Sequence, residues 1–303
     1  MGLKNRSLVS ALDLKKREIL DIFDLADEIK KGRRLEIGRT VALLFFEPST
    51  RTYYSFNTAA ALIGCRVIGF QNPSRTSTKK GESLQDTARM FVGYGADLIV
   101  IRHSRAGAPL YLSQVLDVPV VNAGDDSREH PTQALLDVYT IRERFGDLDG
   151  LKVGIMGDLR YGRTPSSLAY LLSNWKVHID FIAPDLLQID KRNDSLEERL
   201  KRLGVKYRKR EELDADIDVL YVTRVQRERF PDEAEYERVR NSYRLDPSVL
   251  PRDSIVLHPL PRVDEIPPSF DSDPRAWYFR QAENGRYVRA ALMAGILGWS
   301  DGQ

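Results

Sequence analysis

Short uninterrupted runs of apolar residues recur along this chain, and between them the apolar positions return every three or four residues instead. The first kind of pattern fits a strand buried on both faces, and the second fits a helix buried on one. Residues 13–31 open the chain with Ile19, Ile22, Phe23, Ala26 and Ile29 at helical spacing, with Asp13 as the cap and Gly32 as the stop. The runs VALLFF (41–46), CRVIGF (65–70), DLIVIR (97–102) and VPVVNA (118–123) then predict strands, with helices near 50–63, 83–94 and 108–115 between them. Strand alternating with helix predicts a parallel sheet covered on both faces.

After a helix near 131–145, the turn sequence GDLDG (146–150) marks a boundary and a second series begins. Its strands are LKVGIM (151–156), VHIDFI (177–182), IDVLYV (217–222) and SIVLHP (254–259), with helices near 164–174, 194–203 and 235–241. The charged segment 191–213 mixes both signs over a helical leucine spacing, which reads as a solvated helix followed by an edge strand. A last helical stretch, 284–298, has no strand of its own and is expected to dock on the first unit. The expected fold is therefore α/β, with two doubly wound parallel-sheet domains at 1–135 and 150–283 and the segment 284–303 returning to the first. A length of 303 residues agrees with two cores and a cleft between them.

Composition narrows the class. Forty-six basic against 44 acidic residues leave a net charge of +2, too balanced for a chain whose main partner is nucleic acid or anionic lipid, so an anion must be gripped locally. No stretch approaches a membrane span, and the opening MGLKNRSLVSALDLKKREIL lacks the apolar core of a signal peptide. One cysteine, Cys65, cannot form an internal disulfide, and a reducing cytoplasm is the expected setting. Four histidines and that cysteine show no metal-ligand spacing. GIMGD (154–158) lacks the glycine order of a dinucleotide fingerprint, so neither metal nor cofactor is expected.

The chemistry gathers where predicted strands end. After the first strand, Glu47 and Pro48 lead into Ser49, Thr50, Arg51 and Thr52 at the start of a helix. Ser49 as cap, the free amides, the hydroxyls and the guanidinium together read as a phosphate cradle. The loop RTSTKKGES (75–83) adds hydroxyls and two lysines, and the strand 97–103 delivers Arg102 and His103. His130 and Gln133 stand three apart at a helix start, suited to a ligand with a carbonyl oxygen and an amide nitrogen. In the second half, GDLRYGRT (157–164) and TRVQRER (223–229) put arginines just past two strands. The prolines of HPLPR (258–262) stiffen a loop whose carbonyls can be aimed as acceptors. Such a cationic site would bind one phosphate and one or two carboxylates, and catalyse by orientation and charge stabilisation.

Taken together, STRT (49–52), KKGES (79–83), Arg102 with His103, HPTQ (130–133), GDLRYGRT, TRVQRER and HPLPRVDEI (258–266) resemble the aspartate/ornithine carbamoyltransferase family along the whole chain. The ornithine branch carries a cysteine-bearing HCLP motif where this chain has HPLPR, which favours the aspartate branch. The resemblance implies transfer of the carbamoyl group of carbamoyl phosphate to the α-amine of L-aspartate, an early step of pyrimidine biosynthesis, in a site set between the domains and at a subunit boundary of a homotrimer. Some members of the family dock their trimers on separate regulatory chains. It further implies that Ser49, Thr50, Arg51 and Thr52 hold the phosphate, that Arg102 bridges to the carbonyl, and that His130 and Thr52 polarise it. Gln133 with the main chain of Pro259 and Leu260 takes the amide, while Arg163, Arg224 and Gln226 take the carboxylates of aspartate. Lys80 and a hydroxyl before it, Thr76 or Ser77, enter from the neighbouring subunit, and Glu47 pairs with Arg163 and Arg229 when the domains close. The departing phosphate can take the amine proton, so no side chain stands out as a general base. Transfer to another amino acid such as ornithine, or a non-catalytic assembly subunit, are the rival readings. The second would predict losses among the anion ligands, and all are present.

Overall fold

A computed structural model describes residues 2–72, 81–189, 194–227, 230, 232–240 and 244–299. The chain divides into two compact units, Met1–Tyr139 with Glu283–Gln303, and Thr140–Ala282.

The first unit is built on four parallel strands, β1 (Thr40–Phe45), β2 (Arg66–Phe70), β3 (Leu98–His103) and β4 (Val120–Asp125), in the order β2-β1-β3-β4. Every residue of β1 and β4 is buried, β4 because the chain at Leu8 pairs along its outer side, whereas the uncovered edge strand β2 is half exposed. Helices α1 (Lys16–Lys30), α2 (Thr50–Leu62), α3 (Leu84–Gly93), α4 (Ala108–Val115) and α5 (Pro131–Phe145) alternate with the strands. The α1 helix starts later than Asp13 suggests. That carboxylate instead accepts from the amides of Val9 and Ser10 at 2.8 Å each and closes a 3-10 turn, Ala11–Asp13, and Glu18 takes the amide of Lys15 at the helix start. Gly32, at a φ of +102°, ends the helical region in a conformation that a side chain would resist.

The second unit has five parallel strands, β5 (Lys152–Met156), β6 (His178–Ile182), β7 (Lys206–Arg210), β8 (Val219–Val222) and β9 (Ile255–Leu257), ordered β7-β6-β5-β8-β9. The charged β7 takes the edge, where Arg208 and Arg210 both reach the buried carboxylate of Asp180 on β6. Helices α6 (Arg163–Leu172), α7 (Asp194–Arg202) and α8 (Glu233–Val239) complete the unit. In both sheets the order reverses direction beside the first strand, which opens a crevice at the carboxyl ends of the strands.

The last helix, α9 (Tyr278–Ile296), belongs from Glu283 onward to the first unit. There Lys30 donates to Asn284 at 2.8 Å, and the carbonyl of Ile296 accepts from Asn5 at 2.9 Å. Among the described residues no helix is long and apolar enough to cross a membrane.

Candidate active site

In the first unit the chain leaves β1 at Phe46 and enters α2 at Thr50, so that residues 46–49 form a short turn at the carboxyl edge of the sheet. Ser49 holds the N-cap position but, against expectation, makes no side-chain cap bond. Its ψ is 93°, whereas the two serines whose hydroxyls do cap helices here, Ser10 and Ser83, have ψ of 152° and 154°. With no bond to the Ser49 hydroxyl, the first turn of α2 keeps its amides as the kind of donors an anion takes. Thr52 is buried and Arg51 exposed.

Arg102, next to last in β3, lies directly opposite Phe45, and its carbonyl accepts from the amide of Phe46 at 2.9 Å. Its buried guanidinium donates to Glu47 at 2.6 Å and to the carbonyl of Ala123 at 3.4 Å. The cationic group therefore stands between the loop after β1 and strand β4. Glu47, assigned by resemblance to Arg163 and Arg229, here gives its carboxylate to Arg102 within the first unit.

His130 and Gln133 follow β4 through a tight turn. Asp125, fully buried, accepts from Asn122 and Gly107 at 2.9 Å each and from the amide of Glu129 at 3.1 Å. Glu129 in turn takes the hydroxyl of Ser10 at 2.8 Å and the amide of Ala11 at 2.7 Å, and burial raises its pKa. These carboxylates clamp the turn that leads to His130, and the distant partners Gly107, Ser10 and Ala11 were not legible in the sequence. The His130 carbonyl accepts from the amides of Gln133 and Ala134, and Thr132 Oγ1 lies 3.4 Å from its Nδ1. Both His130 and Gln133 are buried.

The second unit repeats the plan with different chemistry. Gly157 follows β5 at a φ of +118°, and a Cβ there would sit 2.1 Å from the carbonyl oxygen of Thr223 after β8. Only glycine lets the two loops approach so closely. The next residue, Asp158, is fully buried and accepts from the amide of Tyr161 at 2.8 Å and of Gln226 at 3.2 Å. One carboxylate thereby fixes both the turn before Arg163 and the backbone that presents Arg224 and Gln226.

The loop after β9 is set by His258, whose Nδ1 accepts from the amide of Leu260 at 2.8 Å while Nε2 faces Glu265 Oε1 at 2.7 Å. An Nδ1 that accepts from a backbone amide carries no proton, so the proton is on Nε2 and donated to the carboxylate. Burial lowers the His258 pKa, with the charges of Arg262 and Arg224 acting in the same direction against the attraction of Glu265. Burial alone would raise the Glu265 carboxyl, but His258 and the loop amides take it below the usual range. Glu265 also accepts from the amides of Val263 and Asp264. Hydrogen bonds within the loop fix its course, and Leu260 is held in the left-handed region at a φ of +56°.

Ser49, Thr50, Arg51, Thr52, Arg102, His130 and Gln133 thus share the carboxyl end of the first sheet, and Arg163, Arg224, Gln226, Pro259 and Leu260 that of the second. Thr76, Ser77, Lys80 and Arg229 lie outside the described residues.

Residues 6–143 match the family model described as aspartate/ornithine carbamoyltransferase, carbamoyl-P binding domain, and residues 149–296 match the Asp/Orn binding domain of the same family. The aspartate carbamoyltransferase catalytic subunit of Hyperthermus butylicus is 47% identical over 98% of each chain, and that of Thermococcus onnurineus 46% identical over 100% of each. Among solved structures, the catalytic subunit of M. jannaschii aspartate transcarbamoylase aligns with a TM-score of 0.87 at 44% identity, covering 98% of this chain and 100% of that one. The Trypanosoma cruzi aspartate transcarbamoylase in complex with N-(phosphonacetyl)-L-aspartic acid aligns with a TM-score of 0.90 at 36% identity, covering 97% and 96%.

Proposed function

The chain belongs to the aspartate/ornithine carbamoyltransferase family, and on that premise we infer that it transfers the carbamoyl group of carbamoyl phosphate to the α-amine of L-aspartate, giving N-carbamoyl-L-aspartate and phosphate. The observation that carries this reading is Arg102, a buried cation near the end of a parallel strand, which donates to Glu47 in the loop that opens α2 and to the carbonyl of Ala123 on β4, the strand that leads toward α5. The first unit takes carbamoyl phosphate. Its phosphate lies on Ser49, Thr50, Arg51 and Thr52, and Arg102 spans phosphate and carbonyl oxygen. His130 and Thr52 polarise the carbonyl, and Gln133 with the carbonyls of Pro259 and Leu260 accepts from the amide. The second unit takes aspartate, with Arg163, Arg224 and Gln226 on its carboxylates.

Attack of the amine on the carbamoyl carbon makes a tetrahedral oxyanion, stabilised by His130, Arg102 and Thr52; the carbon–oxygen bond to phosphate breaks, and the leaving phosphate takes the amine proton. Glu47 releases Arg102 to the substrate and pairs with Arg163 and Arg229 once aspartate is bound, excluding water. Lys80 and Ser77 come from the adjacent subunit of a homotrimer in the cytoplasm. Incubating the purified chain with carbamoyl phosphate and aspartate should form carbamoyl aspartate, and ornithine in place of aspartate should not react. Turnover with ornithine alone would defeat the reading. Native mass measurement separates a bare trimer from one joined by regulatory chains.

A further inference from the structure

One turn beyond Gln133 on α5 stands Asp137, with no solvent exposure, and Gln133 Nε2 donates to its Oδ1 at 2.8 Å. Asp137 is in electrostatic contact with Arg289 of α9, itself only 3% exposed. Arg289 donates to Ser55 Oγ at 2.6 Å and lies 5.0 Å over the ring of Phe56, both on α2 just after the phosphate residues. Room for the guanidinium comes from Gly285, where a Cβ would fall 2.7 Å from Nη1 and 3.2 Å from Ser55 Oγ. Burial lowers the Arg289 pKa to about 10, opposed by Asp137, so the group stays a cation at neutral pH. All of these residues belong to the first unit.

We propose that Asp137 and Arg289 are positioning residues for carbamoyl transfer, acting through Gln133: Asp137 fixes the carboxamide with its oxygen toward the carbamoyl nitrogen, and Arg289 supplies the counter-charge and fastens the pair to α2. The inference rests on the reading of Gln133 as the amide acceptor. A carboxylate only accepts hydrogen bonds, so the Gln133 atom facing it must be the nitrogen, and Oε1 is left as acceptor. The carbamoyl –NH2 offers only donors. A carboxamide turned by 180° about its last torsion would meet it donor to donor, and that torsion has no strong preference of its own.

Asp137→Asn tests the idea because the isostere should invert the Gln133 amide. The positive charge of Arg289, which acts on this position, favours the oxygen of the introduced carboxamide on its own side, so that the nitrogen faces Gln133. Gln133 must give its oxygen to that nitrogen and its own nitrogen to substrate. We expect kcat to fall about 10–100-fold, the size of effect that misplacing one group in a reacting pair produces, with the KM for aspartate little changed. Gln133→Glu in the Asp137→Asn background restores an acceptor on both sides and should recover at least tenfold of that loss, a rescue that a merely structural role does not give. Arg289→Gln, which leaves Asp137 and Gln133 intact and keeps a donor for Ser55, is the second variant and should cost kcat about threefold to tenfold. Wild-type rates in both single variants, or an Asp137→Asn loss that Gln133→Glu deepens, would overturn this inference alone. A wild-type chain that forms no carbamoyl aspartate would overturn the underlying reading and this inference with it.

Discussion

His258 gives the most detailed test, because its two ring nitrogens do separable jobs. Nδ1 accepts from the Leu260 amide and so shapes the ligand loop, while Nε2 donates to Glu265. Asparagine places its oxygen near the Nδ1 position but cannot reach Glu265, and glutamine does the reverse. The bond to a buried carboxylate contributes about 1.5–3 kcal/mol, and the bond to a neutral amide about 0.5–1.5 kcal/mol. His258→Asn should therefore lower stability by about 1.5–3 kcal/mol yet keep most of the turnover. His258→Gln should lose only about 1 kcal/mol but cost kcat about 10–100-fold, since Leu260 is released from its left-handed conformation. Urea unfolding followed by tryptophan fluorescence measures the first effect, with Trp175 and Trp277 both in the second unit. Steady-state carbamoyl aspartate formation measures the second. The pH dependence carries a sign: the folded His258 pKa lies below its ordinary value of 6.5, so the folded state binds a proton less readily than the unfolded one. Its contribution to stability is whole above pH 6.5 and is lost as pH falls from there through the lowered folded value. In His258→Asn that acid loss should shrink. Equal activity in the Asn and Gln variants, or an unchanged acid limb in His258→Asn, would refute the argument.

Three further outcomes are expected. His130→Ala should reduce kcat about 10²–10³-fold as a lost oxyanion donor, while inorganic phosphate binding, followed by calorimetry, changes little. Gly157→Ala forces a Cβ to within 2.1 Å of the Thr223 carbonyl at a φ of +118°, so stability should drop by at least about 1–3 kcal/mol. Asp158 moves with it and the KM for aspartate should rise, which initial rates at saturating carbamoyl phosphate would show. Inactive Lys80→Ala and inactive Arg51→Ala chains, mixed under conditions that exchange subunits, should regain activity, since each hybrid trimer would hold at least one intact site; mixtures that exchange and stay inactive would place Lys80 in its own chain's site.

Much of the framework was legible because it is set locally. A parallel strand buried on both faces must be an apolar run, and a helix over such a sheet must repeat its apolar positions every three or four residues. The strands from β1 to β9 and the helices α4 and α5 accordingly fall where the hydrophobic pattern puts them, and even the charged edge strand β7 follows from its position after a solvated helix. The places where the candidate anion ligands gather were legible too, because parallel sheets present their ligands at strand ends and those ends are visible as the last apolar residue before a polar turn.

What the pattern could not contain is anything decided by two distant segments at once. Strand order in each sheet is one such property, and the pairing of Glu47 with Arg102, of Glu129 with Ser10 and of Arg289 with Ser55 are others. Whether Ser49 caps α2 depends on backbone and side-chain torsions that residue type alone does not set. Asp125, Asp137, Asp158 and Glu265 look in the sequence like ordinary polar residues of turns and helices. Only the tertiary structure buries them, and once buried each must find donors, so it organises the backbone or side chain beside the candidate site residues. Hydrophobic burial is roughly proportional to area and can be read residue by residue, whereas the aim of a hydrogen bond depends on the geometry of both partners and exists only when the chain has brought them together.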